Sequence, residues 1–120
     1  MNKQDIQFQF GHLGINTTCP EQAQQLARYL CALFALPTQD GSSSVYSGKQ
    51  IEIMKTPGRG THGHICILTN DLPGAIEMLE ARGVAFDRSA FKYDGAGQLL
   101  AAYLREEVCG FALHLSENGC

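Results

Sequence analysis

Polar and apolar positions alternate along Gly11-His12-Leu13-Gly14-Ile15-Asn16-Thr17, the period of a half-buried strand. The same alternation returns at Gly63-His64-Ile65-Cys66-Ile67-Leu68-Thr69. Each run leads into a helix start. In the first, Thr18-Cys19-Pro20-Glu21 has the form of a capping box, and Pro20 suits a first helical turn, where a missing N–H costs nothing. Leu26, Leu30 and Leu33 then recur at helical spacing beside Ala23 and Tyr29, and Pro37 closes the segment. In the second, Asp71 is the expected N-cap with Pro73 in the first turn. Leu72, Ala75, Ile76 and Leu79 form the stripe, and Gly83 ends it.

Short strands separated by turns follow each helix. The first set is expected at about 37–39, 43–47 and 49–55, with Asp40-Gly41 and Ser47-Gly48 as turns. The second is expected at about 84–89, 99–105 and 110–116, with Asp94-Gly95-Ala96-Gly97 as a loop. The closing strands match as well: Gly48-Lys49-Gln50-Ile51-Glu52-Ile53 aligns with Gly110-Phe111-Ala112-Leu113-His114-Leu115. A repeat of strand, helix and three strands predicts an α+β fold, two tandem β-α-β-β-β modules forming a curved mixed sheet around a cavity. The expected layout is one domain over 1–120, with module one about 8–55, a linker about 56–62 and module two about 63–117.

Composition narrows the function classes. Hydrophobic residues make up 44% of the 120 and the net charge is −3, enough for a packed core and without the basic cluster that nucleic acid or an anionic membrane surface demands. No apolar run approaches the length of a membrane span, and the polar start lacks the apolar core of a secretory signal, so a cytoplasmic setting is expected. Five scattered cysteines with no C-x-x-C pair read as reduced thiols. Cys31 and Cys66 sit in apolar patterns as small core residues, and Cys120 is an exposed terminal thiol.

Strand side chains alternate between faces. Leu13, Ile15, Ile65, Ile67, Ile51, Ile53, Leu113 and Leu115 are expected to face the helices. His12, Glu52, His64 and His114 then fall on the opposite, cavity-lining face at repeat-equivalent positions. Three imidazoles and a carboxylate on rigid strands suit a divalent transition metal, with zinc, nickel, cobalt and iron all compatible. The plain alternative for each is a solvated or core polar residue, and recurrence at matched sites argues against it. Tyr46, Tyr103 and Arg105 are further candidates for contacting a substrate. Tyr103 and Arg105 share a face, and an arginine there would hold a carboxylate or phosphate, unless the strand is a surface one and the arginine solvated. Lys55, Arg59 and His62 are expected to be solvated charges near the linker.

The repeat and its four cavity-facing groups resemble the vicinal-oxygen-chelate superfamily: glyoxalase I, extradiol dioxygenases, fosfomycin-resistance enzymes and bleomycin-resistance proteins. The resemblance covers about His12 to Leu115. It implies one metal ligand from the first and one from the last strand of each module, here His12 and Glu52, then His64 and His114. Where glyoxalase I usually has a glutamate, this chain has His114, which leaves Glu52 as the catalytic carboxylate. The runs Lys92-Tyr93-Asp94, Tyr103-Leu104-Arg105-Glu106-Glu107 and Gly110-Phe111-Ala112-Leu113-His114-Leu115 are similar to the glyoxalase-like domain attached to some bacterial 2-keto-3-deoxy-6-phosphogluconate aldolases. The aldolase barrel itself is absent from this sequence. The resemblance implies a metal-dependent lyase or isomerase acting on a small oxygenated metabolite, working as a homodimer. It also leaves open a metal-free small-molecule binding module, or an accessory domain of sugar-acid metabolism.

Overall fold

The computed structural model describes residues 5–117. Its elements run β1 (Phe8–Asn16), α1 (Pro20–Phe34), β2 (Thr38–Asp40), β3 (Ser44–Ser47), β4 (Ile51–Met54), β5 (Gly63–Thr69), α2 (Leu72–Ala81), a 3₁₀ turn (Arg88–Ala90), β6 (Lys92–Tyr93), β7 (Leu99–Tyr103) and β8 (Phe111–Ser116). All eight strands join one sheet in the order β2-β3-β4-β1-β5-β8-β7-β6. That order is symmetric about the β1–β5 pair. β1 runs parallel to β4 and β5 parallel to β8, while β1 and β5 are antiparallel. Gly14 lies opposite Glu52 and Cys66 opposite His114, so the two halves repeat in register as well as in sequence.

Each helix packs on the sheet of its own half. Ala23 and Ala27, four apart on α1, are fully buried with Val45 and Ile53, and Leu26, Leu30 and Ile51 close around them. Leu33 and Tyr29, expected in the stripe, are instead 68% and 64% exposed: the alanines let α1 approach the strands closely, and that seats the larger side chains at the margin. In the second half Leu72, Ala75, Ile76, Phe86, Ala102 and Leu115 form the core.

Local chemistry explains the departures from the sequence pattern. The N-cap of α1 is Cys19, with no side-chain cap. Because Pro20 takes the first turn, Thr18 stands one residue outside, and its N–H and hydroxyl both donate to Gln22 Oε1. Asp71 caps α2 as expected, its carboxylate accepting from Gly74 N at 3.0 Å. No strand forms over 84–89. Phe86 makes a single bridge to Leu104, and Asp87 Oδ1 accepts from the N–H and hydroxyl of Ser89, a local turn that competes with the ladder. The fourth strand of that half starts at Lys92. Cys31 is exposed, against the expectation of a core thiol. It carries a free thiol, as do Cys19 and Cys109. Cys66, fully buried on the cavity face, is not one of them, and Cys120 lies outside the described residues. Among the described residues no helix is long and apolar enough to cross a membrane.

Ile53 is fully buried beneath α1. Ile53→Ala is expected to lower unfolding free energy by about 2–5 kcal/mol, read from urea denaturation. A loss under about 1 kcal/mol would show that this half contributes little to global stability.

Candidate metal centre

The register of the central strands builds the site. His12 lies opposite Cys66, which lies opposite His114, which lies opposite Tyr103. One step along, Tyr46, Glu52, Gly14 and His64 form a second row. All these residues share one face of the sheet. His12, His64 and His114 are buried, each 5–7% exposed. Glycine at position 14 is required: a Cβ there would sit 2.0 Å from His64 Cε1, because the imidazole lies flat over the β1 backbone.

The donor atoms converge. His12 Nε2 and His64 Nε2 are 2.9 Å apart, and each is 3.2 Å from Glu52 Oε1. Glu52 Oε2 accepts from Ser44 Oγ at 2.8 Å. One ring nitrogen from each of the three histidines lies within 4.8 Å of the others. Glu52 joins the group through His12 and His64. Metal–ligand bonds of about 2.1 Å place neighbouring ligands about 3.0–3.4 Å apart; the two contacts to Glu52 fall in that range, His12–His64 is slightly shorter, and the set with His114 is wider. His114 Nδ1 and Nε2 and His12 Nδ1 are buried with no hydrogen-bond partner. Buried ring nitrogens without partners are costly unless a ligand takes them. The residues present therefore fit a divalent cation, and the three buried histidines are able to bind one.

Electrostatics agree. Hydrogen bonds from His12 and then His64, with a smaller one from Ser44, hold the Glu52 carboxyl far below the usual carboxylate range, against the opposing effect of burial. Glu52 is ionised throughout the working range. Burial, reinforced by the neighbouring His64 and His12, pushes His114 down to about 4, so its ring stays neutral and its lone pair remains available. Burial also raises the phenols of Tyr46 and Tyr103, keeping both protonated.

Of the further candidates, Tyr46 meets the edge of His12 with ring centroids 6.2 Å apart. Tyr103 stacks on His114 at 4.6 Å and 13°. Arg105 does not belong: β7 ends at Tyr103, and Arg105 is exposed and absent from the cavity wall. The cations that line the cavity, of about 340 Å³, are Arg59 and Lys92. Arg59, expected to be solvated, has its guanidinium carbon 4.4 Å from the Tyr103 ring centroid. Lys55 pairs with Asp40 at 2.8 Å. His62 is exposed and lies against Gly110 and Phe111. A larger cavity of about 610 Å³ adjoins at His12, Ser44 and Tyr46, and extends toward Asp40–Ser43 and Lys49. His12, Glu52, His64 and His114 all line the smaller one. Ser44 was findable, since it alternates with Tyr46 onto the cavity face. Nothing in the pattern pointed to Arg59.

No protein-family model and no curated protein sequence matches the chain. Solved structures do. A hypothetical protein of Bacillus halodurans C-125 is 17% identical, with 94% of this chain and 96% of that one covered at a TM-score of 0.63. Streptomyces coelicolor methylmalonyl-CoA epimerase in complex with 2-nitronate-propionyl-CoA is 13% identical, covering 93% and 98% at 0.60. A methylmalonyl-CoA epimerase in complex with methylmalonyl-CoA and NH4+ gives 13%, 90%, 92% and 0.59. The chain has the glyoxalase-like fold of these neighbours over nearly its whole length.

Two predictions follow from this geometry. Gly14→Ala displaces the His64 ring, and should weaken cobalt binding at least tenfold in a spectroscopic titration while far-ultraviolet circular dichroism is retained. Unchanged affinity would remove His64 from the site. The second concerns pH. His114 has a folded pKa of about 4 against an ordinary 6.5, so the unfolded chain binds more protons between those values. Stability of the metal-free protein should therefore fall as pH drops from 6.5 to 4, by on the order of 2 kcal/mol. The Glu52 contribution is lost only below about 4.5. His114→Asn should flatten the upper window in thermal denaturation with chelator present, and equal slopes would contradict the assignment.

Proposed function

We propose that this chain is a metal-dependent isomerase or lyase acting on a small oxygenated metabolite, with His12, Glu52, His64 and His114 as the metal-holding set. The observation that carries the reading is the convergence of three buried imidazoles on one carboxylate, with both His114 ring nitrogens unpartnered. Zinc, nickel, cobalt and iron all suit these donors. Bound there, such an ion would supply Lewis acidity toward negative charge developing on substrate oxygens.

The chain's own groups divide the remaining work. Among the described residues Glu52 is the only carboxylate lining the cavity, so Oε1 is the acceptor for a substrate proton, while Ser44 holds Oε2 and fixes the plane of the group. Tyr46 and Tyr103 keep their protons and act as donors. Met54, Leu100 and Ala101 supply the apolar wall that limits water. That two structural neighbours are methylmalonyl-CoA epimerases supports an isomerase as the reaction class. A cytoplasmic setting and a homodimer belong to the same proposal. Tyr29, Leu33 and Phe34, 64–68% exposed on α1, are the apolar surface that a second copy would cover. Sedimentation should give a dimer at micromolar concentration, and a monomer there would remove that part.

One observation favours a second reading. His12, His64 and Glu52 lie within hydrogen-bond distance of one another and can satisfy each other by sharing protons. The chain would then be a metal-free binding module, or an accessory domain of sugar-acid metabolism as the aldolase-fusion resemblance suggests. Elemental analysis of untagged protein separates the readings. Near-stoichiometric metal that disappears in His64→Ala is the expected result. No metal after incubation with zinc, nickel, cobalt, manganese or ferrous iron would overturn the enzyme reading in favour of the second.

A further inference from the structure

The linker between the halves, though largely exposed, is anchored by hydrogen bonds. Asn16, at the end of β1, grips it from both sides of Arg59: its Oδ1 accepts from Gly58 N at 2.9 Å, and its Nδ2 donates to Gly60 O at 2.8 Å. Gly60 has φ +87 and packs so closely on Gly63 that a Cβ would meet the Gly63 carbonyl oxygen at 1.9 Å. The backbone under Arg59 is thus fixed. Its guanidinium lies over Tyr103, which in turn lies over His114. Asp87 Oδ2 lies 4.0 Å from Arg59 Nη2, a loose ion pair beyond hydrogen-bond length, while Ser89 occupies the other oxygen, Oδ1. Among the described residues the guanidinium therefore has this loose ion pair but no hydrogen-bond acceptor.

Lys92 completes the wall. It pairs in register with Ala101 and lines the metal cavity together with Arg59 and Tyr103. The same three residues also line an adjoining pocket of about 330 Å³, closed by Ser89, Ala90 and Phe91. Arg88, close by in sequence, is spent on a two-pronged contact with Glu80 at 2.6 and 3.1 Å. Among the described residues the single carboxylate lining this cavity, Glu52, is tied to His12, His64 and Ser44. The positive charge of Arg59 and Lys92 is therefore not neutralised within the cavity. A stacked, pre-oriented guanidinium beside an ammonium matches a planar or tetrahedral oxyanion.

We infer that Arg59 and Lys92, on the wall formed by Tyr103, make an oxyanion subsite that holds a carboxylate or phosphate group of the substrate, directing the rest of the molecule toward the three histidines. The inference rests on the proposed function for what that molecule is, but the subsite itself needs no metal. The substrate class becomes an acid or phosphate ester that also carries oxygens able to reach the histidines.

The test is calorimetric titration of metal-free protein with inorganic phosphate and, separately, malonate at low ionic strength. Saturable binding of at least one is expected. It should weaken about tenfold or more in Arg59→Gln and in Lys92→Gln, and be kept in Arg28→Gln, which removes an exposed charge on α1. Preference for phosphate assigns a phosphate ester, and preference for malonate a carboxylic acid; either supports the subsite. No saturable binding of either probe, or binding that both cavity variants retain, overturns it. Metal content measured on the unmutated protein and on Arg59→Gln keeps the outcomes separate. No metal in the unmutated protein with anion binding intact counts against the metal reading alone, and anion binding lost in Arg59→Gln with metal retained supports the subsite.

Discussion

Where the two halves meet, the backbones leave no room for a side chain. A Cβ on Gly63 would lie 1.9 Å from the Gly14 carbonyl oxygen, and a Cβ on Gly14 would lie inside the His64 ring. This close approach along the β1–β5 pair is the constraint on which the rest depends. It joins two four-stranded halves, each with its own small core, into one sheet. It also lays His64 down across the seam, so that its Nε2 reaches both His12 on the neighbouring strand and Glu52 beyond it. A bulge between Phe10 and His12 shifts the β1–β5 register at the start of that stretch, and with it turns His12 to the cavity face.

The cost of this arrangement is electrostatic. Three imidazoles and a carboxylate have been withdrawn from water, and such groups are retained only where they are paired or bind something. Glu52 solves half the problem, since His12, His64 and Ser44 all contact it. His114 solves none of it: its neighbours are the faces and edges of other rings, Tyr103, His64 and His12. A neutral ring stacked on a protonated phenol is held firmly in place while its nitrogens go unmet. That combination, rigid packing with both ring nitrogens unmet, is what the metal-binding proposal rests on.

The architecture was legible because period and punctuation agreed. Alternation in two matched runs gave β1 and β5, the Asp71 cap and Gly83 bounded α2, and counting faces put His12, Glu52, His64 and His114 together. What stayed hidden followed from contacts that no periodicity encodes. Apolar spacing put Leu33 in the stripe and passed over Ala27, although small side chains set how near α1 can come to the sheet. The strand expected over 84–89 was lost to the Asp87–Ser89 turn, whose hydrogen bonds are as local as the ladder's are distant. Arg105 was chosen over Arg59 by alternation within a strand that ends two residues earlier. Arg59 owes its position to Asn16, 43 residues away in sequence, and only the folded loop brings them together.

The repeat is therefore most informative where it fails. His12 and His64 are equivalent, and so are Glu52 and His114, yet one closing strand offers a carboxylate and the other an imidazole. The difference polarises an otherwise symmetric cavity. At the Glu52 end, a buried anion held by Ser44 faces the histidines and can take a proton. At the His114 end, the equivalent position carries no charge, and Tyr103 spreads across it to form the floor beneath Arg59. A second carboxylate at 114 would lie beneath Tyr103, within reach of the nearby cations, and would compete with any incoming anion for them. Histidine there keeps an imidazole in the cavity without adding a carboxylate beside Arg59 and Lys92. The same departure that weakens the likeness to glyoxalase I gives this cavity an anionic end at Glu52 and a cationic one at Arg59 and Lys92, the polarity on which the proposed oxyanion subsite depends.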